Sequence, residues 1–104
     1  MNKSLLMTNE NLVDTLQIVA FRRECEAESV DCDLDFVTHC EIITFELLSS
    51  IKNVYGLLIV SLSEEAYNWL SDILHGYYMQ LKAIGEETAA VRCHALYDLC
   101  NAAQ

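Results

Sequence analysis

Proline is absent from this chain of 104 residues, and glycine occurs only three times, at Gly56, Gly76 and Gly85. An all-β domain needs frequent turns, and turns draw on glycine, proline and asparagine. The shortage of breakers therefore argues against an all-β fold. The abundance of Leu, Ala and Glu favours helices. Bases are also scarce: six Lys and Arg face sixteen Asp and Glu, for a formal net charge of −10. Phosphate backbones and anionic bilayers are bound through cationic neutralisation, so neither direct nucleic-acid binding nor membrane binding is expected. The partners that such a field favours are cations or basic proteins.

Long apolar runs are missing too. The longest, GLLIV at 56–60, falls far short of the ~20 residues of a membrane-spanning helix. The opening MNKSLLM has too short an apolar run for a secretory leader. The five cysteines, Cys25, Cys32, Cys40, Cys93 and Cys100, are odd in number, and with no leader they are expected to be reduced in the cytoplasm. No internal repeat, linker or low-complexity segment is visible. No G-x-S-x-G elbow, phosphate loop or dinucleotide fingerprint occurs.

Hydrophobic residues make up 53% of the chain, above the usual share. That surplus points to an unusually apolar core or to a partner interface. Its spacing predicts a compact all-α, four-helix bundle-like single domain spanning 1–104, with short connections. Residues 1–7 are expected to form a flexible arm. Thr8 or Asn9 caps a first helix over about 9–27, whose apolar stripe is Leu12, Val13, Leu16, Val19 and Ala20. Ser29, Asp31 and Asp33 break the rhythm, and Asp33 caps a second helix over about 34–54. Phe36, Cys40, Ile43, Leu47, Ile51 and Val54 form its main stripe, which Ile42, Phe45 and Leu48 widen.

Residues 55–62, YGLLIVSL, suit either a buried strand or a helical turn. A lone strand has no partner within the chain, so an apolar connector or helix extension is expected, with a strand shared between two copies as the alternative. Ser61 with Glu64, or Ser63, then caps a third helix over about 62–84, and Gly85 supplies its left-handed stop. A fourth helix over about 86–103 follows.

The densest chemistry lies in ECEAESVDCDLDF, residues 24–36, which carries Glu24, Glu26, Glu28, Asp31, Asp33 and Asp35. Asp31-x-Asp33-x-Asp35 imitates the start of a calcium loop. Phe36 stands where that loop needs glycine, and Ile42 where it needs a bidentate glutamate. Cys25, Cys32, His39 and Cys40 lack the close ligand pairing of zinc sites, as do Cys93, His94 and Cys100. The histidines His39, His75 and His94 belong to no nucleophilic motif. No catalytic residue, metal or cofactor is therefore expected.

The expectation that follows is a non-enzymatic acidic interaction protein. Glu24, Glu26, Glu28, Asp31, Asp33 and Asp35 would meet a basic surface on a partner, itself a nucleic-acid-binding protein. Glu41, Glu46 and Asp72 would extend the field, with Trp69 and Tyr78 as apolar anchors. In its sharpest form it is an inhibitor or nucleic-acid mimic, since a carboxylate ridge can imitate DNA, which carries a charge about every 1.7 Å of duplex. The alternative is a self-associating, homodimeric helical adaptor or regulatory subunit whose acidity serves solubility.

Overall fold

The computed structural model describes residues 2–103. Its elements are β1 (Asn2–Met7), α1 (Asn9–Ala27), α2 (Leu34–Ser49), β2 (Lys52–Val54), β3 (Leu57–Ser63), α3 (Glu64–Ala83) and α4 (Glu87–Asn101). The fold is mostly helical with four helices, but it is not all-α. A three-stranded antiparallel sheet of order β1-β3-β2 runs through it.

Three expectations are corrected together by that sheet. The supposed arm is β1. The supposed second helix stops at Ser49 instead of reaching residue 54. The supposed connector at 55–62 is a hairpin tip followed by most of β3. The missing partners for β3 lay in segments assigned to other roles. β1 pairs with β3 from Asn2↔Ser63 to Met7↔Leu58, and β2 pairs with it from Lys52↔Ile59 to Val54↔Leu57.

Local chemistry explains the boundaries. The Thr8 hydroxyl accepts the Asn11 N–H while the Asn11 side chain accepts the Thr8 N–H, a reciprocal cap that ends β1 and starts α1. Ser49 and Ser50 turn their hydroxyls onto the Phe45 and Glu46 carbonyls at the end of α2, a competition that weakens the last helical turn. Ser63 caps α3 through the Ala66 N–H. Gly85, at φ +80°, closes α3, with Glu86 N bonded to Leu81 O and Gly85 N to Lys82 O.

Tyr55 (φ +52°) and Gly56 (φ +83°) form the two-residue β2–β3 tip, both left-handed, with the Asn53 side chain accepting the Gly56 N–H. The helices cover one face of the sheet, burying Leu5, Met7, Leu58, Val60 and Leu62 against Val19, Cys40, Ile43, Leu47, Leu70, Leu74, Cys93, Leu96 and Cys100.

The halves of the fold repeat each other. A shift of 55 residues carries Asn2–Met7 onto 57–62 and Asn9–Ala27 onto 64–82, and a shift of 53 carries Leu34–Ser49 onto 87–102. Buried positions coincide: Leu5 with Val60, Met7 with Leu62, Thr15 with Leu70, Val19 with Leu74, Cys40 with Cys93, Ile43 with Leu96, and Leu47 with Cys100. The strand register agrees, because Leu5 pairs with Val60, its own equivalent. A pseudo-twofold axis therefore passes between those two residues, relating two β-α-α units. Sequence reading found no repeat because the matched elements are identical only at Glu10/Glu65, Ile18/Ile73 and Cys40/Cys93. The α1–α2 junction is where the shift falls from 55 to 53, so the acidic segment includes a two-residue elaboration of one half.

Candidate functional site

At the end of α1 no basic residue occupies the last turn, while Glu24 and Glu26 do, and Glu28 is the C-cap. Carboxylates at this end oppose the helix dipole, and Glu24 and Glu28, four apart, repel each other. The chain then turns through Val30, which is fully exposed, to Asp33. One Asp33 oxygen accepts the Asp35 N–H (3.0 Å) and the Phe36 N–H (3.2 Å), capping α2. Glu24, Glu28, Asp31, Asp33 and Asp35 are exposed and Glu26 is half-buried.

Nearby bases are engaged elsewhere. Arg23 pairs with Glu41 at 2.9 Å. Arg22 donates to the Gln80 side chain at 3.2 Å and lies over the Phe36 ring. Arg92 pairs with Asp14, Lys82 pairs with Glu87, and Lys3 lies over Tyr67. Among the described residues, none of the six carboxylates of the junction forms an ion pair.

Two of the side chains expected to extend the negative field are turned to other uses. Glu41 is neutralised by Arg23. Glu46 points inward, where its carboxylate accepts the Ser63 N–H (2.7 Å) and the Ser63 hydroxyl (3.0 Å). Beside it, Ser50 Oγ accepts the Ser61 N–H (3.0 Å) and lies 2.8 Å from the Ser61 carbonyl. The end of α2 thereby occupies the part of β3's edge that three-residue β2 does not reach. Asp72 remains exposed.

The two aromatic candidates separate. Trp69 and Tyr78 are nine residues apart on α3, which places them about half a turn around the helix from each other. Trp69 stacks on His39, with ring centroids 3.8 Å apart and planes within 7°. Together they line a hollow of about 180 Å³ with Arg22, Phe36 and Asp72, adjoining the acidic junction. Tyr78 instead packs against His94 of α4 at 4.9 Å. Trp69 thus shares a hollow with Phe36, whose N–H is bonded to Asp33, whereas Tyr78 faces α4. His39, Arg22 and Phe36 were overlooked as parts of this surface. The 36/39 spacing on one helix face was the available signal.

The pseudo-twofold axis gives that hollow a counterpart. A larger groove of about 310 Å³ lies between α1, α3 and α4. Its Asp14, Gln17, Ile18, Phe21, Tyr77, Ala89 and Arg92 are the equivalents of Trp69, Asp72, Ile73, Gly76, Arg22, Phe36 and His39. The Asp14–Arg92 ion pair (2.9 Å) holds the place of the Trp69–His39 stack. One framework contact has been realised as an ion pair in one half and as a ring pair in the other.

The cysteines offer little nucleophilic chemistry in the folded core. Burial pushes the Cys40, Cys93 and Cys100 thiols up to about 11, so they stay protonated at neutral pH. The Cys93 thiol also donates to the Leu74 carbonyl at 3.3 Å. Among the described residues, no three His, Cys, Asp or Glu side chains gather as a metal site, and no helix is long and apolar enough to cross a membrane. Comparison with protein-family models, curated proteins and solved structures finds no match to this chain.

Proposed function

We propose that the protein is a non-enzymatic interaction module whose α1–α2 junction binds a basic surface on a partner protein. The observation that carries this reading is electrostatic. Six carboxylates, at Glu24, Glu26, Glu28, Asp31, Asp33 and Asp35, fall within twelve residues without an ion-pair partner among the described residues, although the two arginines at 22 and 23 are adjacent. A chain that only needed solubility would not have to gather its charge at one helix junction, against the dipole of α1. Trp69 supplies an apolar anchor beside that charge, and the long-range field of −10 speeds encounter. A partner whose cationic surface binds nucleic acid fits best, with the protein acting as its inhibitor by imitating a phosphate ridge. All five cysteines are unpaired, and a cytoplasmic setting belongs to the same proposal.

Trp69 is the single tryptophan and adjoins the junction, so its fluorescence reports binding. Titration with poly-L-lysine should quench or shift its emission, with an affinity that falls steeply as salt rises. Replacing Glu24, Glu28 and Asp31 by Gln, Gln and Asn should weaken binding at least tenfold. An affinity unchanged between about 50 mM and 500 mM salt would remove the electrostatic basis of the proposal, because exposed charges are screened over that range. Competition with duplex DNA for a basic DNA-binding domain tests the mimic itself.

A further inference from the structure

The internal symmetry supplies a comparison for exposed side chains on the helices, because each helix has a counterpart in the other half. On the outer face of α2 stand Ile42, Phe45 and Leu48, exposed by 36%, 71% and 54%. The equivalent α4 positions, also exposed, hold Ala95, Asp98 and Asn101. The fold therefore does not require apolar side chains there, yet one half has them.

This apolar face continues past the helix. α2 runs into β2 along a single edge of β3, as the Glu46–Ser63 and Ser50–Ser61 bonds and the Val54↔Leu57 pairing show. Ile51, Val54, Tyr55 and Leu57 extend the exposed apolar strip. Tyr55 is wholly exposed and left-handed at the hairpin tip, a position that asparagine fills with less strain.

We propose that the outer face of α2 and the β2–β3 hairpin form a self-association surface, occupied by a second copy of this chain. Charge selects that occupant. Two chains of −10 repel across most of their surfaces, but residues 42–62 contain one acid, the inward-turned Glu46, and one base, Lys52. This is where two copies approach with least repulsion.

Area agrees. Phe45 and Tyr55 alone expose on the order of 350 Å², taking roughly 150–250 Å² per fully exposed ring, and the partly exposed Leu48, Ile51, Val54 and Leu57 add to it. A standard interface takes about 800 Å² from each partner, about 65% of it apolar in homodimers. The surface is separate from the junction carboxylates, so both sites can be filled at once.

Sedimentation equilibrium on the full chain tests the proposal. The expected species has twice the 11.8-kDa chain mass at tens of micromolar. Its association should tighten with salt, opposite in sign to capture of a basic partner. Phe45→Asp with Leu48→Asn, the residues found at the equivalent α4 positions, should weaken association at least 100-fold with the circular dichroism spectrum unchanged. Val91→Thr on α4 should leave it intact. In the unaltered protein, amide exchange over 42–57 should slow as concentration rises. A monomer at about 100 µM, a dimer indifferent to the double substitution, or exchange there that ignores concentration each overturns the inference.

Discussion

Replacing Glu46 by alanine separates two views of a carboxylate in a strongly acidic chain. If Glu46 were one more surface charge, its removal would relieve self-repulsion and leave stability level or slightly raised. The structure assigns it the opposite sign. Its oxygens accept the Ser63 N–H at 2.7 Å and the Ser63 hydroxyl at 3.0 Å, and the same hydroxyl accepts the Ala66 N–H at 3.2 Å. Glu46 therefore fixes the end of β3 and orients the cap of α3. Hydrogen bonds to a charged group contribute about 1.5–3 kcal/mol, and an N-cap about 1 kcal/mol. Discounting for partial exposure, Glu46→Ala should cost about 2 kcal/mol. At this chain length, that lowers the melting temperature by roughly 10 °C. Glu46→Gln, which keeps one acceptor oxygen, should cost about half as much. Urea denaturation of both variants, of Ser63→Ala and of the double alanine variant gives the coupling, expected to exceed about 1 kcal/mol. A cost for Glu46→Ala below about 0.5 kcal/mol, or additive effects in the cycle, would refute this reasoning.

Tyr55→Asn should stabilise the chain by about 1 kcal/mol in urea denaturation at high dilution, because a wholly exposed ring is lost and left-handed strain relieved; the same change should weaken self-association. In thiol labelling, exposed Cys25 should react first, while Cys40, Cys93 and Cys100 wait for unfolding. Their thiols are raised from 9.0 to about 11 in the folded chain, so the neutral form is favoured by folding. That contribution is complete below pH 9 and is lost as pH rises through 11, so unfolding midpoints should fall across that window. Val60→Ala, at the pseudo-twofold axis, should cost about 1–3 kcal/mol by calorimetry, as expected for emptying a fully buried position.

The helices were legible because their signals are local. Thr8, Asp33, Ser63 and Gly85 act within four residues of themselves, so each could be read locally, although Ser63 stood second to Ser61 and Thr8 was not separated from Asn9. The sheet was not legible for the opposite reason. Paired residues of β1 and β3 are more than fifty positions apart, and β1 looks like an unstructured tail until its partner is known. Ser50 and Glu46 deceived for a related reason: each replaces a strand residue at the β3 edge, a role that no spacing within α2 announces. Around the candidate site, the run of carboxylates was plain in the sequence, and so was the presence of Trp69. Its stacking on His39 was not, since the two are 30 positions apart in the chain. Tyr78 was grouped with Trp69 although nine residues on a helix reverse direction.

The Leu5–Val60 pairing also bears on ancestry. A strand that meets its own image at a self-equivalent residue is the arrangement produced when a half-length polypeptide assembles with an identical copy and the two genes are later joined. Joining removes the obligation for both halves to change together. One outer helix could then remain hydrophilic while the other turned greasy, and one inter-helix loop could lengthen and acquire acids while its twin stayed short. Expressed alone, residues 55–104 offer a direct way to ask whether a single β-α-α unit still rebuilds the whole by pairing with itself.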